Sequence, residues 1–276
     1  MKKVDREIKQ LQKIIDSSKN IVFLGGAGVS TESGIPDFRS STGIFTSDKQ
    51  AELRPEQIVS HSYFTQNTSE FFKYYLSRMV HPNATPNAAH KKLAELEKAG
   101  KLSAIITQNI DGLHEMAGSK NVIDIHGTIY ENHCTKCNES YTLEELMGLM
   151  KKRRKSVPIC PVCNGVVKPN VVLYGENLDA DKLDRAQKAL AEADTLIIGG
   201  TSLMVQPAAN LVFSFKGDNI ILINRTRTPL DYMAKLIINE NVGDVFSKIK
   251  VKKNIQISDM IARYISHSKS NDNHSM

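Results

Sequence analysis

The chain has 276 residues, of which 41% are hydrophobic and 24% charged, a composition typical of a globular protein with one large core. No run approaches the ~18 apolar residues of a membrane span, and residues 1–8 lack the apolar core of a signal peptide, so we expect a cytoplasmic protein without a membrane partner. The net charge of +6 is moderate and tryptophan is absent, so we do not expect a nucleic-acid partner.

Short apolar runs rich in Ile, Val and Leu predict buried parallel strands. They lie at residues 20–25, 103–107, 122–125, 170–173, 195–199 and 219–223. Helical patterns alternate with them at residues 87–98, 180–193 and 207–215. This alternation predicts an α/β fold with a doubly wound, mostly parallel Rossmann-like sheet.

Two segments interrupt the alternation, an aromatic-rich helical insertion at residues 41–85 and a cysteine-bearing segment at residues 127–169. We expect them to form a smaller lobe made of a zinc ribbon and the helical insertion. The nucleotide-binding domain is then discontinuous and comprises residues 1–40, 86–126 and 170–265. Residues 266–276 are polar and are expected to be a disordered tail.

A glycine-rich loop follows the first predicted strand and reads GGAGVST from Gly25 to Thr31. It begins like the dinucleotide-binding fingerprint but has Thr31 where the third glycine is expected. Glycines in such a loop let the backbone approach a pyrophosphate at a helix N-terminus. The next residues, 32–40, combine a proline, an acid, an aromatic and a cation, and predict a lid over a ligand.

Polar residues follow four of the predicted strands, at the sheet edge where α/β enzymes bind ligands. Residues 108–111 supply two amides and a carboxylate, and His126 follows the next strand. An unperturbed histidine pKa of about 6.5 suits proton transfer near neutral pH, although His126 alone fits a structural histidine equally well. The pairs Thr201-Ser202 and Asn224-Arg225 suit the adenosine half of a dinucleotide, and ordinary turn chemistry is the alternative.

The chain has four cysteines, in two Cys-x-x-Cys pairs: Cys134 with Cys137, and Cys160 with Cys163. Two such pairs give the tetrahedral sulfur site of a structural zinc ion, with no position left for water. Two disulfides or a redox dithiol are the alternatives, and the regular spacing favours zinc. The basic residues 151–155 between the pairs fit a solvated helix end better than a nucleic-acid site.

Taken in chain order, these motifs closely resemble the sirtuins, the NAD-dependent protein lysine deacylases. The resemblance runs from about residue 20 to 247 and rests on the letters GAGVSTESGIPDFRS, TQNIDGLH, IHG, CxxC, CPVC, GTSL and INR. It implies that NAD is the co-substrate and that the acyl group of an acylated protein lysine passes to ADP-ribose with release of nicotinamide. The complete set of four cysteines resembles the bacterial zinc-containing type.

The resemblance also implies roles for individual residues. His126 would be the general base acting on the ribose, and Asn109 would be a second catalytic residue. The NAD-binding residues would be Ala27, Thr31, Phe38, Arg39, Gln108, Ile110, Asp111, His126, Thr201, Ser202, Asn224, Arg225 and Val242. An acetylated protein segment would bind as an added strand along Val172, Leu173 and Tyr174.

The acyl preference depends on one helix. Tyr75 and Arg78 spell the Tyr-x-x-Arg pair of family members that remove succinyl or malonyl groups, but counting back from Pro86 puts Ser77 in the position of the cation. This register predicts a deacetylase. The alternatives are an ADP-ribosyltransferase, a desuccinylase or long-chain deacylase, and a non-catalytic zinc-ribbon regulator that binds nucleotides. The sequence leaves the oligomeric state open.

Overall fold

The computed structural model describes residues 3–38, 43, 53–153 and 156–252, and two sheets organise this part of the chain. The strands are β1 (Ile21–Gly25), β2 (Leu102–Thr107), β3 (Val122–Asp124), β4 (Gly127–Cys134), β5 (Ser140–Thr142), β6 (Val167–Val171), β7 (Thr195–Gly199), β8 (Asn219–Ile223) and β9 (Leu236–Ile238). A parallel sheet has the order β3-β2-β1-β7-β8-β9, and a smaller antiparallel sheet has the order β5-β4-β6. The predicted α/β fold class is confirmed.

The helices cover both faces of the large sheet and fill the two excursions from it. They are α1 (Lys3–Ser17), α2 (Pro55–Ile58), α3 (His61–Gln66), α4 (Thr68–Arg78), α5 (Ala88–Lys98), α6 (Leu113–Met116), α7 (Leu143–Arg153), α8 (Ala180–Glu192) and α9 (Val242–Ser247). Among the described residues, no helix is both long and apolar enough to span a membrane.

Burial on both faces explains the apolar runs of the central strands. Phe23 and Ile21 in β1 pack into one core cluster, with α1, α5 and α9, while Val22 and Leu24 pack into the other, with α8. Successive side chains of a strand point to opposite faces, so a strand covered on both sides reads as a continuous apolar run. The polar strand ends are left at the carboxyl edge of the sheet.

The helical insertion and the cysteine segment share a third core. Phe71, Phe72 and Tyr75 of α4 are fully buried and belong to the same cluster as Ile129 of β4 and Val167 of β6. The aromatic rings pack edge to face or stacked, with centroid separations between 5.1 and 6.4 Å. The two excursions therefore pack together beside the large sheet.

One prediction about a single element is wrong, and the structure specifies the helix type of another. The run at residues 170–173 was expected to join the parallel sheet, but β6 ends at Val171 and pairs antiparallel with β4, because an apolar run does not reveal which strand will be its partner. The helix expected at residues 207–215 is a 3₁₀ helix, Ala208–Ser214. Its buried residues are spaced by three, as Ala208 with Leu211 and Ala209 with Val212, which is the 3₁₀ period.

Some expectations fall outside the described residues. These are the tail at residues 266–276, part of the insertion at residues 41–85 and part of the basic run at residues 151–155. Arg39 also lies outside the described residues, so its predicted contact with NAD stays a prediction.

Candidate active site

A cavity of about 640 Å³ opens at the carboxyl edge of the large sheet, bounded on one side by the small lobe. Every predicted NAD-binding or substrate residue within the described ranges lines it. They are Ala27, Thr31, Phe38, Gln108, Asn109, Ile110, Asp111, His126, Val172, Leu173, Tyr174, Thr201, Ser202, Asn224, Arg225 and Val242. The carboxyl ends of adjacent parallel strands meet at one edge, which is why residues so far apart in sequence share one cavity.

The glycine-rich loop touches the loop after β7. The Gly28 N–H donates to Gly200 O over 2.8 Å, and a Cβ on Gly28 would lie 2.8 Å from Gly200 Cα. No side chain fits at that separation, so this glycine is required by the close approach of two backbones. Thr31, in place of the third glycine, donates its hydroxyl to Gly28 O over 3.0 Å and fastens the loop from within.

Ser30 joins the glycine-rich loop to the residues after β2. Its hydroxyl donates to Asp111 Oδ2 over 2.6 Å and accepts a hydrogen bond from Asn109 Nδ2 over 3.0 Å. Burial raises the pKa of the Asp111 carboxyl, and the bonds from Ser30 and the Leu113 N–H oppose that rise. Ser30 was not among the predicted site residues, although its place in the glycine-rich loop, two residues after Gly28, was a usable signal.

His126 is held in one tautomer by the main chain. Its Nδ1 lies 3.0 Å from Gln108 O, and because a carbonyl oxygen can only accept, Nδ1 carries the proton. The other ring nitrogen, Nε2, therefore keeps its lone pair. Burial lowers the pKa of His126 below its ordinary value, against the opposing effect of the Gln108 bond, so the ring is neutral at neutral pH. This arrangement suits a general base.

The residues predicted to face adenosine come from neighbouring strand ends. Thr201 follows β7 and accepts a hydrogen bond from Gln108 Nε2 over 3.1 Å, which connects this loop to the one after β2. Asn224 follows β8, and its amide donates to Thr226 O over 2.9 Å. Val242 begins α9 and is buried at the cavity wall. The structure thus brings the described members of the predicted NAD-binding set into the lining of one cavity.

The four cysteine sulfurs converge in the small lobe. All lie within 4.8 Å of one another, with Cys134 and Cys163 Sγ atoms 3.3 Å apart and Cys137 and Cys160 Sγ atoms 3.7 Å apart. These separations are too long for disulfides, whose S–S bond is about 2.05 Å. They are close to the ~3.8 Å sulfur separation of a tetrahedral ion with Zn–S distances of about 2.3 Å. The site fits one structural Zn²⁺ with no position left for water.

The chain matches the Sir2 family over residues 26–207, more than half of its length. This protein belongs to the Sir2 family. It is 51% identical over 89% of the chain, and 99% of the relative, to an NAD-dependent protein deacetylase of Clostridium perfringens. A solved Sir2 protein with a p53 peptide and NAD⁺ has a TM-score of 0.76 at 35% identity, covering 92% of this chain and 99% of that one. Another, bound to an acetylated peptide, has a TM-score of 0.76 at 36% identity, covering 87% and 95%.

One register prediction for this Sir2 protein is wrong. Arg78 and Met79 line the cavity, whereas Ser77, expected in the position of the cation, is not part of its lining. Tyr75, the other member of the Tyr-x-x-Arg pair, is fully buried and stacks on Phe71 with ring centroids 5.7 Å apart. Tyr75 lies in the aromatic core, whereas Arg78 is the last residue of α4 and reaches the cavity.

The edge expected to pair with a peptide is partly occupied in this Sir2 protein. The Tyr174 N–H donates to Val59 O over 3.0 Å, and Tyr174 O accepts from the His61 N–H over 2.9 Å. The Val172 N–H donates to His126 O over 2.9 Å. Val59 and His61 lie in the helical insertion, so no local sequence pattern indicates that they pair with Tyr174. The segment is therefore a preformed wall of the cavity, held from both sides.

Proposed function

We propose that this chain is an NAD-dependent protein deacetylase, which transfers the acetyl group of N6-acetyl-lysine to ADP-ribose and releases nicotinamide. The observation that carries the proposal is His126, a neutral histidine that lines the cavity and whose Nδ1–H is bonded to Gln108 O, so that Nε2 is the nitrogen able to accept a proton. The name of the Clostridium perfringens relative, NAD-dependent protein deacetylase, supports the same reaction.

The chemistry explains why a nucleotide is needed. A lysine amide is a poor electrophile, and NAD supplies an electrophilic ribose carbon when it is bound. The chain then has to hold the two reactants together, exclude water and accept a proton. We assign water exclusion to Phe38 at the lid, proton acceptance from a ribose hydroxyl to His126 Nε2, and orientation of the nicotinamide side to Asn109 and Asp111.

The substrate is assigned to an acylated protein segment in extended conformation. A solved Sir2 protein carries an acetylated peptide, and the wall at residues 172–174 lines the cavity here. Recognition through main-chain groups depends little on sequence, so we expect low sequence selectivity. We propose the cytoplasm as the compartment, since the four cysteines must stay reduced to bind zinc. A membrane or nucleic-acid partner is not part of the proposal.

The position of Arg78 favours a second candidate, removal of acidic acyl groups such as succinyl. An arginine lining the cavity could pair with an acyl carboxylate. Tyr75 does not assist it, because its ring is buried in the aromatic core. An acyl carboxylate that is bound by Arg78 without Tyr75 still loses most of its hydration, and this desolvation costs several kcal/mol. We therefore expect acetyl-lysine to be the better substrate.

The test is a product analysis by mass spectrometry. The wild type, Arg78→Ala and the control Lys73→Ala, an exposed cation on the same helix, are incubated with NAD and either acetyl-lysine or succinyl-lysine peptides. We expect all three proteins to form O-acetyl-ADP-ribose from the acetyl peptide. Their kcat/KM should be at least tenfold higher for the acetyl than for the succinyl peptide, which corresponds to a free-energy difference of about 1.4 kcal/mol. Succinyl activity that exceeds acetyl activity and collapses only in Arg78→Ala would establish a desuccinylase. ADP-ribosylated protein without deacylated peptide would establish the transferase alternative.

A further inference from the structure

A carboxylate at the end of the peptide-facing wall, in the lining of the same cavity, gathers three partners from separate segments. Glu176 Oε2 accepts the Leu173 N–H over 2.9 Å and the Lys168 ammonium over 3.0 Å, and Oε1 lies 2.9 Å from His61 Nδ1. Leu173 belongs to the wall itself, Lys168 to β6 and His61 to the start of α3. The three contacts tie the wall to both parts of the small lobe.

The ion pair at the centre is shielded from solvent. The Lys168 and Glu176 side chains are 10% and 21% exposed. The Lys168 ammonium also donates to Val171 O over 3.0 Å and to Pro169 O over 3.3 Å, so it is held by the carbonyl groups of β6 directly before the wall. Burial by itself would raise the pKa of Glu176, but the bonds from Leu173, His61 and Lys168 outweigh it and lower the pKa, so the group is a carboxylate at neutral pH.

The main chain of the wall depends on this cluster. The Glu176 N–H donates to Leu173 O over 2.9 Å across a turn, in which Gly175 has a φ of +89° that favours glycine. The Glu176 side chain returns to the Leu173 N–H, so both ends of the turn are fixed by one residue. His61 contributes twice, through its ring to Glu176 and through its N–H to Tyr174 O.

We propose that Glu176, Lys168 and His61 form a clamp that positions residues 172–175 for the acylated peptide, so that it sets peptide affinity and not NAD affinity. The inference rests on the proposed function. Lys168 and His61 belong to the small lobe and Glu176 closes the turn after β6, whereas the glycine-rich loop and the residues predicted to face adenosine belong to the large sheet, so we expect the two affinities to be separable. Glu176 is a positioning residue, because both of its carboxylate oxygens bond within the chain. A preformed wall lowers the cost of ordering the peptide site on binding.

The central test is Glu176→Gln, which keeps the shape and the acceptor for the Leu173 N–H but removes the charge opposite Lys168. We expect the peptide KM to rise at least about tenfold and the NAD KM to stay within about twofold. The reason is that a small displacement of a group that positions a substrate has a large effect on the use of that substrate. His61→Gln, at a more exposed position, should raise the peptide KM by a smaller factor. Asp184→Asn removes the same charge from the exposed pair with Lys188 and should change neither constant.

Two further measurements separate positioning from stability. Glu176→Gln leaves the Lys168 ammonium without its carboxylate partner, so we expect this variant to have a lower Tm than the wild type. The double variant Glu176→Gln with Lys168→Met removes that ammonium, so its Tm should recover in part while its peptide KM stays raised. Calorimetric titration of an acetylated peptide into each protein saturated with ADP-ribose gives the same comparison without turnover. An inactive wild type that binds the peptide would refute the proposed function and still test the clamp.

Three outcomes would overturn the clamp: an unchanged peptide constant in Glu176→Gln, equal losses for peptide and ADP-ribose, and recovery of peptide affinity together with Tm in the double variant. A wild type that binds no peptide at all would also overturn it.

Discussion

At the scale of single residues, the most informative feature is a tautomer. The Gln108 carbonyl oxygen accepts a hydrogen bond from the Nδ1–H of His126, and this leaves Nε2 as the only basic nitrogen of the ring. Burial lowers the pKa of the histidine and so keeps it neutral and able to accept a proton at physiological pH. Neither effect is visible in the sequence, where His126 is simply a histidine at the end of an apolar run.

Replacement of His126 with Ala should abolish turnover and leave ADP-ribose binding largely intact. The expected loss in kcat is at least 10²- to 10⁴-fold, the usual contribution of general acid-base catalysis. Steady-state kinetics with an acetylated peptide give the first quantity and calorimetry gives the second. His126→Gln retains a polar side chain without a titratable group and should be equally impaired. Deacetylation near the wild-type rate in either variant would rule out the assigned role.

At the scale of elements, the sequence predicts a motif correctly where its hydrogen bonds join residues only a few positions apart. Thr142 and Glu145 form a reciprocal capping box at the start of α7, with Thr142 N–H to Glu145 Oε2 at 2.8 Å and Glu145 N–H to Thr142 Oγ1 at 3.2 Å. The cysteine turns behave in the same way, since Lys136 and Gly165 donate their N–H groups to Cys134 and Cys163 Sγ over 3.4 Å. Both motifs depend on residues a few positions apart, which is why their spacing predicts them.

Removal of one cysteine should unfold the small lobe. We expect one zinc per chain in the wild type and less in Cys134→Ala or Cys163→Ala, with a Tm lower by roughly 10 °C or more, since metal binding supplies folding free energy. Elemental analysis and a thermal melt measure the two quantities. Val162→Ala, an exposed position between two of the cysteines, is the matched control and should change neither. Freshly purified, reduced protein without zinc would refute a structural zinc site.

At the scale of the whole molecule, the large core encloses a polar pair. His90 and His114 are buried, with ring centroids 4.7 Å apart, and they lie behind Ser30, whose Oγ is 3.5 Å from His90 Nε2. Burial lowers the pKa of His90 to about 4 and that of His114 to about 3, and His90 adds a repulsive contribution to the second shift. Both rings are therefore neutral in the folded protein.

These histidines should make the fold sensitive to acid. Between pH 6.5 and about 4 the unfolded chain binds protons that the folded chain does not, so stability is unaffected above pH 7 and falls as the pH decreases through this window. The expected loss is on the order of 2 kcal/mol for each histidine by pH 5. Urea unfolding at pH 7.5 and 5 measures it.

Acid also releases zinc from thiolates, and a variant separates the two causes. His114→Gln removes one of the buried histidines and leaves the cysteines unchanged. Its loss of stability between the two pH values should be smaller than that of the wild type. An equal loss in both proteins would assign the acid sensitivity to the metal site alone.

The sequence by itself determined five strands of the large sheet, the NAD-site candidates that line the cavity and the cysteine site, because each is encoded in consecutive or closely spaced residues. It did not predict β4, β5 or β9. Parallel strands end at a common edge, so naming the residues after each strand was enough to predict one cavity. The tertiary structure alone decided the partner of β6, the reach of Arg78 and the contacts of Ser30, Glu176 and His61. Those contacts join segments 50 or more positions apart, such as Glu176 and His61, which are 115 positions apart. Two such groups meet only when the intervening chain has packed, and no local pattern records where that packing will place them.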